Sequence, residues 1–239
     1  MKLKIYNDKN EVAKAFSEYL KTLIEASETE IHVALSGGST PKAIFDYMAA
    51  NYKDSIQWNK LHLYWGDERC VDPTDNESNY KMTVDHLLSK INFPEENIHR
   101  VLGEKEPNLE ATRYGKLLNK QLPSDEDGPL FDLVILGMGD DGHTASIFPY
   151  NIELWDSENN CEVAIHPDSG QKRVTITGNV INNAKEVAFL VTGENKKDKV
   201  VTIINELDGF EQYPAALVAP YSEKLTWFLD KSAAQNLDL

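Results

Sequence analysis

The chain has 239 residues, long enough to bury a large core, and 41% of them are hydrophobic and 9% aromatic, as in folded proteins. Its 39 Asp and Glu residues against 24 Lys and Arg give a formal net charge of −15, which argues against a nucleic-acid partner because phosphate backbones need clustered basic residues. No apolar run approaches the roughly 20 residues that span a bilayer, so no membrane partner is expected either.

Helix and strand patterns alternate along the chain. Residues 11–25 carry apolar side chains at helical spacing, which predicts an amphipathic helix. Four apolar runs predict strands at 31–35, 60–65, 131–136 and 186–191, and shorter strands are predicted at 161–167 and 172–177. The polar stretch 123–129 is bounded by prolines and predicts a surface loop. Strands that alternate with helices imply a single α/β domain over residues 1–239, with a mostly parallel sheet covered on both faces.

The first strand runs into the glycine-rich sequence SGGSTP at residues 36–41. Thr40 is expected to be the N-cap of the next helix, with Pro41 as its first helical residue. Gly37 and Gly38 let the backbone come close to a ligand, and the N–H groups of the helix start can bind a phosphate. A turn with a purely structural role is the alternative.

The strand at 60–65 ends in the sequence GDER, and the strand at 186–191 ends in TGENKK. The first places Arg69 just past a strand, and the second places Lys196 and Lys197 there. An isolated surface Arg or Lys is usually solvated. Ligands of open parallel sheets bind at the carboxyl ends of the strands, so we expect these loops to face one crevice.

The sequence GMGDDGHTASIFP at 137–149 follows the strand that ends at residue 136. His143 stands in a tight glycine turn with Asp141 two residues before it, which indicates a general base oriented by a carboxylate. A metal site is disfavoured because no H-x-x-x-H or H-x-H pair accompanies His143. A plain glycine turn with an incidental histidine is the other alternative.

The cysteines and the chain start indicate a cytoplasmic protein. Cys70 and Cys161 are the only cysteines, and their spacing offers neither a disulfide framework nor a metal site, so both are expected to be reduced and structural. The N-terminal residues lack the apolar core of a signal peptide. We expect a monomer or a weak homo-oligomer.

Six segments, taken together, resemble the 6-phosphogluconolactonases in order and spacing. They lie at 36–41, 65–79, 136–149, 172–177, 193–196 and 226–234, so the resemblance covers essentially the whole chain. The most specific of them is DGHTASIFP. The resemblance implies a Rossmann-like three-layer α/β/α architecture, similar to that of the glucosamine-6-phosphate deaminases.

The resemblance also implies an activity. The reaction would be hydrolysis of 6-phospho-D-glucono-1,5-lactone, a small phosphorylated sugar lactone, to 6-phospho-D-gluconate in the oxidative pentose phosphate pathway, without a cofactor or a metal. The similar deaminases have Glu where this chain has Phe148. An apolar side chain cannot supply the acid/base partner that deamination needs, which favours the lactonase. A deaminase or aldose-ketose isomerase and a non-catalytic sugar-phosphate sensor remain as alternatives.

The resemblance implies roles for individual residues. His143 would take a proton from water, and Asp141 would orient the imidazole. Arg69 would balance negative charge on either the phosphate or the oxyanion. The phosphate would be bound by backbone N–H and hydroxyl groups, with a mobile lysine as counter-charge; the residues are Gly37, Gly38, Ser39, Thr40 and Lys196.

Three further residues have less definite roles. Asp67 would position either Arg69 or a sugar hydroxyl. Arg173 is a weaker phosphate candidate, for which a purely structural role is an equal alternative. Lys197, next to Lys196, leaves an ambiguity that only the G-x-x-K spacing resolves.

Overall fold

The computed structural model describes residues 1–237, which form twelve strands and six α-helices joined by turns and short 3₁₀ segments. The strands are β1 (Lys2–Tyr6), β2 (Ile31–Leu35), β3 (Leu61–Trp65), β4 (Asp67–Arg69), β5 (Ile98–His99), β6 (Ser124–Asp125), β7 (Gly128–Pro129), β8 (Leu133–Leu136), β9 (Cys161–Ile165), β10 (Lys172–Ile176), β11 (Val187–Val191) and β12 (Leu225–Asp230). The helices are α1 (Lys9–Ala26), α2 (Ser39–Asn51), α3 (Asn79–His86), α4 (Pro107–Gln121), α5 (Gly178–Asn182) and α6 (Lys197–Ile204). None of these helices has the length and apolar character that crossing a membrane requires.

Seven strands form one parallel sheet in the order β1-β12-β11-β8-β2-β3-β5. The central strands β2, β8 and β11 are buried along their whole length, as strands covered by helices on both faces must be. From β2 the chain continues on one side to β3 and β5, whereas β8, β11 and β12 lie on the other side. Such a reversal opens a crevice at the carboxyl ends of the strands. The predicted mostly parallel α/β fold is confirmed.

A second, antiparallel sheet of three strands, in the order β4-β10-β9, lies beside that crevice. Only Gly66 separates β3 from β4, so the predicted loop at 66–69 is largely a strand that joins the second sheet. In this sheet Arg69 pairs in register with Arg173. The second sheet therefore brings together two basic residues that are far apart in sequence.

Most other predicted elements are found near their expected bounds, with two further differences. The polar stretch 123–129 forms the short hairpin β6–β7. The expected N-cap was wrong: α2 begins at Ser39 with Gly38 as its N-cap, at a φ of 103° and without a side-chain cap hydrogen bond. Thr40 instead places its hydroxyl 2.8 Å from that of Thr192, at the end of β11. This long-range hydrogen bond outweighs the local capping preference.

Both cysteines are unbridged thiols, as expected. Cys161 is buried, and Cys70, which directly follows β4, is half-buried. Burial raises the pKa of the Cys70 thiol to about 11. Little reactive thiolate therefore forms at neutral pH.

Three histidines from different strands meet near the amino ends of β2 and β3. His62 Nδ1 lies 3.1 Å from His99 Nε2, and the ring centroids of His32 and His62 are 5.0 Å apart. Tyr64 stacks on His99, and Glu30 lies 3.4 Å from His62 Nε2. Protonation of one ring therefore places a positive charge in a half-buried site, next to other rings that can also become positively charged.

This cluster predicts that the protein loses stability in mild acid. Burial, with repulsion from His62 and His32, lowers the pKa of His99 to about 4, below its ordinary value of 6.5. Between these two values the unfolded chain binds more protons than the folded chain, so stability is complete above pH 6.5 and falls as the pH drops towards 4. After discounting for solvent screening, we expect His99 to account for about 1 kcal/mol of the loss between pH 7.5 and pH 5.

Urea unfolding of the wild type and of His99→Gln at these two pH values measures the effect. The variant should show the smaller loss of unfolding free energy. An equal loss in both proteins would mean that His99 does not carry the pH dependence.

Candidate active site

A cleft of about 550 Å³ opens at the carboxyl ends of β2, β8 and β11. Its walls come from the turns that follow these strands, from β4 and β10, and from the loop at 166–168. Every residue that the sequence predicts for the site lines this cleft: Gly37, Gly38, Ser39, Thr40, Asp67, Arg69, Asp141, His143, Arg173 and Lys196. Lys197 does not line the cleft and instead pairs with Glu194 at 2.8 Å, so the geometry favours Lys196 as the lysine of the site.

His143 and Asp141 form a hydrogen-bonded pair. His143 Nδ1 lies 2.6 Å from Asp141 Oδ1, and the backbone N–H of His143 donates to the same oxygen at 3.1 Å. Because the carboxylate accepts the hydrogen bond, Nδ1 carries the proton and Nε2 is the basic nitrogen. Partial burial raises the pKa of Asp141, but the hydrogen bond and charge of His143 outweigh it and bring that pKa to about 2. Asp141 is therefore ionised at neutral pH.

Glycines make room for this pair. A Cβ on Gly139 would lie 2.2 Å from His143 Nδ1 and 2.6 Å from Asp141 Oδ1, a clash that excludes any larger residue. Gly142 has a φ of 84° and packs against Tyr213, where a side chain would be both strained and crowded. The glycine-rich turn after β8 thus holds the imidazole in one orientation.

The other wall of the imidazole is apolar. The ring centroid of the fully buried Phe148 lies 4.6 Å from that of His143. The Arg173 guanidinium carbon is 5.7 Å from the same Phe148 centroid, and the His166 ring meets it edge-on at 5.4 Å. The Phe148 ring is therefore an apolar surface on which the side chains of His143, Arg173 and His166 pack.

Arg69 and Arg173 bring two positive charges into the cleft. Arg69 Nη1 donates to the carbonyl oxygen of Glu77 at 2.6 Å, whereas its buried Nε has no hydrogen-bond partner within residues 1–237. Burial lowers the pKa of Arg173, and nearby Asp67 opposes that shift. A guanidinium nevertheless stays protonated at neutral pH. Two adjacent cations with an unsatisfied buried donor favour an anionic ligand.

Glu68 fixes the backbone beneath Arg69. This buried carboxylate accepts the backbone N–H groups of Arg69 at 2.7 Å and of Asn79 and Tyr80 at 2.8 Å. It also accepts the hydroxyl of Ser78 at 3.0 Å, the residue that caps α3. Although burial raises the pKa of Glu68, these donors oppose the shift. The carboxylate ties the start of α3 to β4.

Asp67 is positioned by neighbours that the sequence did not indicate. Ser146 donates its hydroxyl to Asp67 Oδ2 at 2.6 Å, and Asn79 Nδ2 donates to the Asp67 carbonyl at 3.0 Å. A Cβ on Gly37 would lie 1.9 Å from Asn79 Oδ1, so Gly37 is required by this packing. Within residues 1–237 Asp67 has no hydrogen bond to Arg69, so a direct contact does not support the first of its two expected roles. The sugar-hydroxyl role of Asp67 stays a prediction.

The start of α2 and Lys196 form the remaining part of the cleft. Because Gly38 has no side chain, it leaves the first N–H groups of α2 without a side-chain cap from the N-cap residue. Lys196 is paired with the carboxylate of Asp140, and Asn195 Nδ2 donates to the same carboxylate oxygen at 2.8 Å. The Lys196 ammonium therefore has a carboxylate partner in the structure, and its role as a mobile counter-charge stays a prediction.

Sequence reasoning gave no role to several residues that line the cleft or support it. Four of them lie inside the segments that resemble the 6-phosphogluconolactonases, where their polar side chains could have indicated a role in the site: Asn79, Asp140, Ser146 and Asn195. Thr192 directly follows a predicted strand. His166 and Asp168 lie in the loop after β9; the predicted strand at 161–167 extended past the actual end of β9 at Ile165 and gave His166 no role.

Comparison with known proteins identifies the family of this chain. The family described as glucosamine-6-phosphate isomerases/6-phosphogluconolactonase matches residues 7–227. The 6-phosphogluconolactonase of Treponema pallidum is 42% identical over 206 residues, which cover 86% of this chain and 85% of that protein.

Solved structures show the same similarity. The crystal structure of the devB protein is 41% identical with a TM-score of 0.94, covering 99% of both chains. A monomeric glucosamine-6-phosphate deaminase, 18% identical with a TM-score of 0.83 over 98% of this chain and 99% of its own, shares the fold. The chain belongs to the glucosamine-6-phosphate isomerase/6-phosphogluconolactonase family.

Proposed function

We propose that this protein hydrolyses 6-phospho-D-glucono-1,5-lactone to 6-phospho-D-gluconate, the second step of the oxidative pentose phosphate pathway. The observation that carries the proposal is the Asp141–His143 pair in a cleft that also contains Arg69, Arg173 and Lys196. A base oriented by a carboxylate suits ester hydrolysis, and the cations suit a phosphorylated substrate. The relatives named 6-phosphogluconolactonase support the same reaction.

In the proposed mechanism His143 acts on water. Its Nε2 takes a proton as the water oxygen attacks the lactone carbonyl carbon, and the carbonyl oxygen becomes an oxyanion. Asp141, already ionised, stabilises the imidazolium that forms. When the tetrahedral intermediate collapses, the bond to the ring oxygen breaks and the imidazolium returns a proton to that oxygen. The product is the open-chain acid, and the base is regenerated.

The cations would neutralise the negative charge of the substrate. The first N–H groups of α2 and the Lys196 ammonium are proposed to bind the phosphate. Arg69 and Arg173 lie side by side in the same cleft, and the unpartnered Nε of Arg69 offers a donor to the phosphate or to the oxyanion. Binding then depends on this local group of cations and not on the net charge of the whole chain.

Phe148 argues against the deaminase alternative. Deamination of an open-chain sugar needs a further acid/base group, and the chain offers a fully buried phenyl ring at that position. A non-catalytic sensor would need the phosphate site but not the Asp141–His143 pair. The lactonase is therefore the function we propose.

The test is a lactonase assay on freshly generated 6-phosphogluconolactone, with the spontaneous rate subtracted. Glucosamine 6-phosphate in a coupled assay tests the deaminase. Turnover of the lactone alone supports the proposal, whereas turnover of glucosamine 6-phosphate alone would replace it with the deaminase.

We expect the activity to be independent of metal ions. Within residues 1–237 no group of three or more His, Cys, Asp or Glu side chains is arranged to share a metal ion. Treatment with EDTA should therefore leave the rate unchanged. Loss of activity with EDTA and its recovery with one divalent ion would show that Asp140, Asp141 and His143 have been misassigned.

We also propose that residues 1–239 act as one domain, in the cytoplasm, as a monomer or weak homo-oligomer. The cleft takes residues from segments between 36 and 196, so distant parts of the chain contribute to one site. Size-exclusion chromatography with light scattering measures the oligomeric state.

A further inference from the structure

An ion pair joins two turns that border the cleft. Lys196, from the turn after β11, pairs with Asp140, from the turn after β8 that also carries Asp141 and His143. Asn195 donates to the same oxygen of Asp140 at 2.8 Å. One carboxylate therefore binds two successive side chains of the opposite turn.

The two partners of this ion pair differ in their exposure. The Lys196 side chain is 18% exposed and lines the cleft, whereas the Asp140 side chain is 70% exposed. Water therefore screens most of the Asp140 charge, while the Lys196 side chain lines the cleft. An exposed ion pair of this kind adds little to folding stability.

We propose that Asp140 is a positioning residue that holds Lys196 for the substrate phosphate. The inference rests on the proposed function, in which Lys196 binds that phosphate. A lysine loses much rotamer freedom when it binds a ligand, and a lysine that is already held loses less. Asp140 thus pre-organises the phosphate site without touching the reacting atoms.

The ammonium can serve both anions at once. It has three N–H donors, and the contact with Asp140 uses one of them. The remaining donors are available to phosphate oxygens. Because the Asp140 charge is largely solvated, its repulsion of the phosphate is weaker than the benefit of a held lysine.

The experiment compares Asp140→Ala and Asp140→Asn with the wild type. We measure KM and kcat on 6-phosphogluconolactone, and the Kd of 6-phosphogluconate and of unphosphorylated gluconate by calorimetry. Asp140→Ala should raise KM and the Kd of 6-phosphogluconate about three- to tenfold and leave kcat unchanged, as expected for one released side chain. Asp140→Asn keeps an acceptor oxygen, so its effect should be smaller.

The matched control is Glu194→Gln, which removes the ion pair with Lys197 in the same turn but outside the cleft. It should leave all four quantities unchanged. Three outcomes would overturn the proposal. Tighter binding in Asp140→Ala would show that the carboxylate competes with the phosphate, and an unchanged KM and Kd would show that Asp140 does not position Lys196. A loss in kcat alone would show that Asp140 acts on the turn that carries His143.

The calorimetry separates this proposal from the proposed function. If the wild type has no lactonase turnover but binds 6-phosphogluconate more tightly than Asp140→Ala does, the reaction is wrong and the positioning role stands. If the wild type turns the lactone over and the variant binds equally well, the positioning role is wrong and the reaction stands.

Discussion

Replacing His143 by Ala should reduce kcat on 6-phosphogluconolactone by about 10²–10⁴-fold, the usual contribution of a general base. The imidazole is proposed to act on water through Nε2, because Nδ1 is held by Asp141 at 2.6 Å. It is not proposed to bind the phosphate, so the Kd of 6-phosphogluconate should change little. Kinetics with the spontaneous rate subtracted, together with calorimetry of the product, measure both effects.

Asp141→Asn is the matched variant for this prediction. The amide has nearly the same shape as the carboxylate, but it is uncharged and can present an N–H to the ring, which disfavours the required tautomer. We therefore expect a large loss in kcat with unchanged product binding. Since the pKa of Asp141 is about 2, its own protonation cannot explain a loss of activity above about pH 4. Near-wild-type rates in His143→Ala would refute the general-base role.

Replacing Lys196 by Ala should weaken apparent affinity for the phosphorylated lactone by about one to two orders of magnitude, since charge-assisted hydrogen bonds contribute about 1.5–3 kcal/mol each. The loss should be much smaller for gluconolactone, which lacks the phosphate. Stability should hardly change, because Lys196 pairs with a carboxylate that is 70% exposed. Steady-state kinetics on both substrates and thermal unfolding test these expectations.

Lys197→Ala provides the control for this substitution. Lys197 is the next residue along the chain, but its ammonium pairs with Glu194 and does not line the cleft. We expect no change in KM on either substrate. Equal losses of apparent affinity for the two substrates in Lys196→Ala would mean that Lys196 does not bind the phosphate. Arg173 would then become the main candidate for the phosphate-binding cation.

The sequence by itself determined the features that depend on neighbouring residues. Periodicity predicted β2 and most of α1, because burial of one helix face or of a whole strand appears directly in the spacing of apolar residues. The Asp141–His143 pair could also be predicted, because the two residues lie in one glycine turn. The pair fits only because residue 139 has no side chain, so a few neighbouring positions are enough to specify this part of the site.

The tertiary structure alone decided which distant residues meet. Arg69 lies beside Arg173 only because β4 pairs with β10, and Lys196 reaches Asp140 only because β11 lies next to β8. The predicted N-cap of α2 was wrong for the same reason, since the Thr40 hydroxyl bonds to that of Thr192, in the turn that follows β11. Strands β1 and β12 were not predicted, although they pair along five residues each. Strand pairing joins residues by register across the sheet, and local periodicity shows which face is buried but not which strand lies alongside.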